Sequence, residues 1–163
     1  MAAEYSGNAT QVVQSNQPVI FTESPVPCSR GLVFHRDESG IFLLSNNAPS
    51  TNVCSCGCKR IYETLYQVEF HGNISLPEEP AGTVEPISLA IAINGETDPS
   101  SIMTVTVPLV SDTAGDNVGA SIIVAIPSIC GCQSVSVRNI STQAINVMNA
   151  NILFNYIGYR RVR

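Results

Sequence analysis

The sequence predicts an all-β protein, a jelly-roll β-sandwich of about ten strands. Three observations carry this expectation. Apolar residues alternate with polar ones, the period of a strand and not of a helix. Clusters of Gly, Pro, Asn, Asp and Ser break the apolar runs at the spacing of a sandwich. Charged residues form only 13% of the 163 residues, with a single lysine, so strong helix formers are scarce.

Taken in order, "TQVVQ" and "PVIFT" are short extended pieces. "GLVFHRDESGIFLLS" reads as a hairpin, with strands "LVFHR" and "GIFLL" around the turn "DESG". "NNAPSTNVCSCGCK" is a loop. "RIYETLYQVEFHGNISL" is a long strand with Tyr62, Thr64, Tyr66, Val68 and Phe70 on one face. After the proline-rich loop "LPEEPAGTVEP", the strand "ISLAIAI" places Ile87, Leu89, Ile91 and Ile93 on one side and small residues on the other. Asn94–Gly95 is a strong hairpin signal, and "SIMTVTVPLV" is the expected return strand. "VGASIIVAIPS", "QSVSVRNIS" and "QAINVMNANILFNYIG" supply the remaining strands.

The length suits one domain. Residues 1–17 are expected to be an N-terminal arm or attachment segment, 18–158 the jelly roll, and 159–163 a basic tail. That tail, "YRRVR", holds Arg160, Arg161 and Arg163. A net charge of −5 argues against nucleic acid as a partner. No apolar run reaches the about 18 residues that mark a membrane span. The start, "MAAEYSGNATQ", lacks the basic and apolar regions of a secretory signal.

The order of these pieces resembles the trimeric jelly rolls of the complement globular-head and tumour-necrosis-factor type. The bacterial and bacteriophage branch is most similar: exosporium collagen-like glycoprotein C-terminal domains and phage head-fibre proteins. "GLVFHRDESGIFLL" stands where that family has a hairpin leading to a Gly-x-Phe strand. "YETLYQVEFHGNISL" resembles its Tyr-x-Val-x-Phe strand, and "ISLAIAINGETDPSSIM" its apolar strand and Asn-Gly turn. "SVSVRNISTQAINVMNANILFNYIG" is similar to its two closing strands. No Gly-x-y run precedes the domain, and the cysteine clusters described below are not a general family feature. The resemblance implies a homotrimer. Apolar character on both faces of "ISLAIAI" and "SIIVAI" independently suggests an interface. The candidate contact residues are Ile87, Leu89, Ile91, Ile93, Tyr66, Phe154 and Tyr156.

Five of the six cysteines lie in two clusters, Cys54, Cys56 and Cys58, then Cys130 and Cys132. Cys28 stands apart. Residues two apart in extended chain project together, so each cluster presents its thiols on one side. Disulfides between clusters, to Cys28 or to another subunit are the first reading, since a bridge within Cys-x-Cys is strained. A zinc or iron–sulfur site is the second, although Cys-x-Cys is not the usual knuckle spacing. Lys59 and Arg60 would favour thiolates. Nucleophilic catalysis needs a paired base, and nothing ties His35 or His71 to a cysteine, so no catalytic residue and no enzyme activity are assigned.

The resulting expectation is a non-enzymatic structural protein without a required cofactor. It would be a bacteriophage decoration or head-fibre subunit at the virion surface, with itself, a particle protein and a host-surface glycan as partners. The alternatives are a bacterial cell-surface or spore-appendage subunit and a cysteine-cluster metal protein.

Overall fold

A strand with alternating apolar residues must bury one face, and stacking two sheets achieves that. The computed structural model describes residues 1–28, 31–36, 39–48, 61–77, 84–111, 113–128 and 131–162. Twelve strands run through the described residues: β1 (Ala2–Gly7), β2 (Gln11–Val13), β3 (Glu23–Val26), β4 (Val33–His35), β5 (Phe42–Ser45), β6 (Ile61–Ser75), β7 (Ile87–Ile93), β8 (Glu96–Thr97), β9 (Met103–Val105), β10 (Asp116–Pro127), β11 (Cys132–Asn139) and β12 (Ile145–Val162). The first sheet has the order β10-β6-β12-β1-β3, with β2 also on β12. The second has the order β4-β5-β11-β7-β8, with β9 also on β7. The result is the jelly-roll sandwich that the sequence predicts.

The core lies between the sheets. Phe21, Phe42, Phe70, Phe154 and Tyr66 are its largest fully buried side chains. Phe42 sits at its centre, 4.8 Å from the rings of Tyr5 and Phe154 and 5.4 Å from Phe21, at tilted or edge angles. Each such pair adds about 0.5–1.5 kcal/mol beyond area burial. Of the five β6 residues read from sequence as one face, Thr64, Tyr66, Val68 and Phe70 are fully buried, whereas Tyr62 near the strand start is half-buried.

Three expectations change. Residues 1–17 are not an arm. β1 pairs with β12 from Ala2↔Asn155 to Gly7↔Ala150, and Ala3 and Tyr5 enter the core. Alternation through "AAEYS" gives β1 an apolar inner face, so it is worth more inside the sheet than outside it. The basic tail is not separate either. β12 continues to Val162 beside Ile61, and Arg160 Nε meets Glu63 Oε2 at 2.9 Å. The return strand expected over 101–110 after the Asn-Gly turn is shorter: a 3-10 turn, η1 (Pro99–Ser101), leads into it, and only β9 (Met103–Val105) pairs with β7. Asp98 caps η1 by accepting from Ser100 N at 2.8 Å, with proline at the start where no N–H is needed. The turn itself forms as expected, with Asn94 and Gly95 at φ 52° and 86°.

β12 is long for a strand at 18 residues. Register shifts between Met148 and Asn151 and between Tyr156 and Gly158 let it follow the twist of the sheet. Asn149, at φ 50°, lies within the first shift.

Candidate functional site

Two surfaces stand out, one end of the sandwich and the outer face of the first sheet. Antiparallel register brings the described residues that flank 49–60 and 129–130 to one end. Cys132 opens β11 opposite Ser45, the last residue of β5. Asn46 N donates to Gly131 O at 2.8 Å, and Ser128 N donates to Tyr62 O at 2.8 Å. The chain entering and leaving residues 49–60 therefore flanks the chain entering and leaving residues 129–130. Cys54, Cys56, Cys58 and Cys130 themselves lie outside the described residues. Cys132 is exposed, and Cys28 is half-buried.

Cys28 has a defined setting. Its Sγ accepts from Val33 N at 3.3 Å and lies 3.6 Å from Met1 Sδ. Cys28 acts electrostatically on two phenols. Burial raises the Tyr5 phenol above its usual range, the Cys28 thiol adds to the rise, and a backbone hydrogen bond at Cys28 opposes it. Burial raises Tyr66 more strongly, with Cys28 and then Tyr156 adding to it. Tyr66 Oη donates to Ser45 O at 2.7 Å, which links this setting to the β5–β11 end where Cys132 begins. Among the described residues, no three His, Cys, Asp or Glu side chains converge as a metal site.

The histidines are engaged elsewhere. His35 Nε2 is 2.8 Å from Ser39 O, and its ring stacks on Phe42 at 4.5 Å. His71 Nε2 is 3.0 Å from Glu69 Oε1, on the outer face of the first sheet. A surface groove of about 320 Å³ opens over Val12, Ile20 and Ile41, and no ionisable side chain lines it among the described residues.

The residues expected at a subunit contact are placed mostly inward. Ile87, Leu89, Ile91, Tyr66 and Phe154 are 0% exposed within a single chain. Ile93 and Tyr156 are half-buried against the same core. Both faces of β7 are covered, since Ala90 and Ala92 on its other side are buried as well. Those apolar faces are used within the protomer, so their side chains are not available to a partner. Inner and outer faces of one strand are both read as apolar from sequence, and only the partner sheet decides which is inside.

The available apolar surface is the opposite face of the first sheet. Its outward positions follow from register: Ala125↔Leu65 and Ile123↔Gln67 on β10 and β6, then Leu153↔Glu69 and Val162↔Ile61 on β12 and β6. Ile123 is 57% exposed, and Ile157 in the second register shift of β12 is 53% exposed. Leu65 and Leu153 are half-buried by their neighbours. Sequence reading marked the strand of Ile123 but not this residue, because three of its near neighbours, Ile122, Val124 and Ile126, are core.

No protein-family model matches the chain, and no curated protein matches it. Solved structures do. The globular domain of zebrafish complement 1qA protein is 11% identical, with a TM-score of 0.54 and 98% of each chain covered. The Eiger TNF from S. frugiperda is 12% identical, with a TM-score of 0.57, covering 97% of this chain and 92% of that one. Murine APRIL is 7% identical, with a TM-score of 0.59, covering 96% of this chain and all of that one. The chain therefore has the jelly-roll fold of the complement-head and tumour-necrosis-factor type. At these identities the likeness is one of fold.

Proposed function

We propose that this chain is a non-enzymatic structural subunit that self-associates as a homotrimer at a particle surface, as a bacteriophage decoration or head-fibre protein does. One observation carries the self-association: the outer face of the first sheet exposes Ile123 and Ile157 beside Leu65 and Leu153, while the inner faces are spent on the core. An aliphatic patch exposed on long strands is costly to leave in water. The particle surface rests on the resemblance of "GLVFHRDESGIFLL" and the two closing strands to the phage and exosporium branch. Residues 1–17 are built into the first sheet, so attachment to a particle falls to loops at either end.

The cysteine clusters fit the same role as staples within or between subunits. Support comes from the flanking chain, which gathers at one end through the Ser45–Cys132 and Tyr62–Ser128 contacts.

Native intact mass with and without reductant tests both parts. A trimer whose subunits are lighter by about two protons per bridge before reduction supports the stapled reading. A monomer at all concentrations overturns the trimer. A mass excess that fits zinc or an iron–sulfur cluster, with thiols otherwise reduced, overturns the staples in favour of a metal site.

A further inference from the structure

We propose that the outer face of the first sheet carries a proton-operated latch, in which His71 against Glu69 sets the strength of self-association, tightening it as pH falls. This rests on the reading that copies meet through that face.

Two rows of side chains cross the sheet toward the end away from the cysteines. In one, Gly119, His71, Asn151 and Ser6 are successive partners on β10, β6, β12 and β1, with Glu23 of β3 opposite Ser6. In the next, Ser121, Glu69, Leu153 and Glu4 follow the same path. His71 Nε2 lies 3.0 Å from Glu69 Oε1, with side chains 57% and 33% exposed. The imidazole also rests over Gly119, where an added Cβ would come within 2.6 Å of its Nδ1. Glu4 Oε1 accepts from Asn151 Nδ2 at 2.6 Å, next to His71 in the first row. Glu23 Oε2 accepts from Asn8 Nδ2 at 3.0 Å and from Ser6 Oγ at 3.5 Å.

Glu69 is the charge in contact with His71, and Glu4 on β1 and Glu23 on β3 lie two and three strands across the same face. β10 presents Asn117, Gly119 and Ser121, and β12 presents Asn151 and Leu153, all uncharged. Among the described residues no Lys or Arg shares these rows. Arg160 is at the other end of the face, paired with Glu63.

The sign follows from counting. With His71 neutral, Glu4, Glu23 and Glu69 give this half of the face a charge of −3, and an imidazolium reduces it to −2. Negative faces gathered around a three-fold axis repel, and the repulsion weakens when each copy loses one unit of charge. The imidazolium also pairs with Glu69 where the contact excludes water, which strengthens that attraction. Assembly therefore takes up protons and tightens toward acid. Histidine is the side chain that changes charge between about pH 5 and 8, while ordinary carboxylates stay ionised over most of that range.

Sedimentation equilibrium at about pH 8 and about pH 5.5, at fixed ionic strength, reads the effect. The association constant of the native chain is expected to rise on the order of tenfold toward the lower pH. His71→Gln keeps the hydrogen-bonding shape without the titration and is expected to associate with no pH dependence. Glu4→Gln with Glu69→Gln is expected to associate more tightly at the higher pH and to flatten the profile. Association of the native chain that does not change with pH overturns the latch and leaves the trimer standing. An unchanged pH profile in His71→Gln assigns the effect elsewhere and overturns it too. No association at either pH removes the trimer reading and the latch with it.

Discussion

Tyr66 and Ser45 join the two sheets: the buried phenol on β6 donates to the Ser45 carbonyl at the end of β5, at 2.7 Å. Removing the hydroxyl leaves that carbonyl without its phenol donor inside the sandwich. Tyr66→Phe is expected to cost about 1–2 kcal/mol at neutral pH, read from urea unfolding. The alkaline behaviour runs the other way. Tyr66 has its folded pKa raised by burial, so its neutral form favours the fold, and that contribution is complete below the unfolded value of about 10. As pH rises past that value the unfolded chain gains by ionising and the fold loses stability. Tyr66→Phe is expected to lose less stability than the native chain above about pH 10. Equal alkaline losses in both would show that other tyrosines govern the transition.

Gly40 requires the absence of a side chain, although its φ lies outside the left-handed region. A Cβ there would overlap the Val19 carbonyl oxygen and come within 2.7 Å of Pro18 Cβ. Both neighbours are held. Val19 N donates to Val137 O at 2.8 Å, and Val19 is fully buried. Gly40→Ala is expected to destabilise by about 2–4 kcal/mol, or to prevent folding, because backbone must move against backbone. Gly95→Ala, with open space around its Cβ but φ 86°, is expected to cost only about 1 kcal/mol. Thermal unfolding of the two variants separates crowding from conformational strain, and equal losses would contradict this account.

Asn139 shows how a buried amide can be fully used. Its Nδ2 donates to Val13 O at 2.9 Å and Gln143 O at 2.8 Å, and its Oδ1 accepts from Ser141 N at 2.8 Å. It thereby ties β11, β2 and the turn before β12 together. Asn139→Leu replaces it with an apolar group of similar size and leaves three backbone groups without this partner. A loss of about 3–5 kcal/mol in urea unfolding is expected. A loss below 1 kcal/mol would mean that water replaces the amide there.

What could be read from the sequence divides along physical lines. Strands such as β6 and β10 were legible because alternation is a local property. The Asn94–Gly95 turn was legible because positive φ needs particular residues. The η1 turn had a local signal too, Asp98 before Pro99 in the polar stretch "ETDPSS", which lies just ahead of the expected return strand. The place of β1 could not be read locally. Whether "AAEYSG" hangs free or enters a sheet depends on β12, which pairs with it from the far end of the chain. The same holds for Ile87, Leu89 and Ile91. Their apolar character was visible, yet the choice between core and contact surface is made by the sheet opposite. The meeting of the chain that flanks residues 49–60 with the chain that flanks 129–130 follows from the β5–β11 register, which no spacing within either cluster encodes.

Ile122 and Ile123 provide the sharpest test of which face is which. They are neighbours on β10, opposite Val68 and Gln67 of β6, and their side chains leave the sheet in opposite directions. Ile122 is 6% exposed and Ile123 57% exposed. Ile122→Ala removes core volume and is expected to cost about 2–4 kcal/mol of protomer stability. Ile123→Lys places a charge on the outer face, where the isolated protomer tolerates it within about 0.5 kcal/mol. In the trimer that charge would have to be desolvated, so association is expected to weaken by at least about a hundredfold. Circular dichroism reports the first effect and sedimentation the second. If Ile123→Lys leaves the subunit number unchanged at low protein concentration, copies do not meet through the outer face of the first sheet. A folded, monomeric Ile123→Lys variant, set against a destabilised Ile122→Ala that still associates, assigns the two faces of β10 to contact and core.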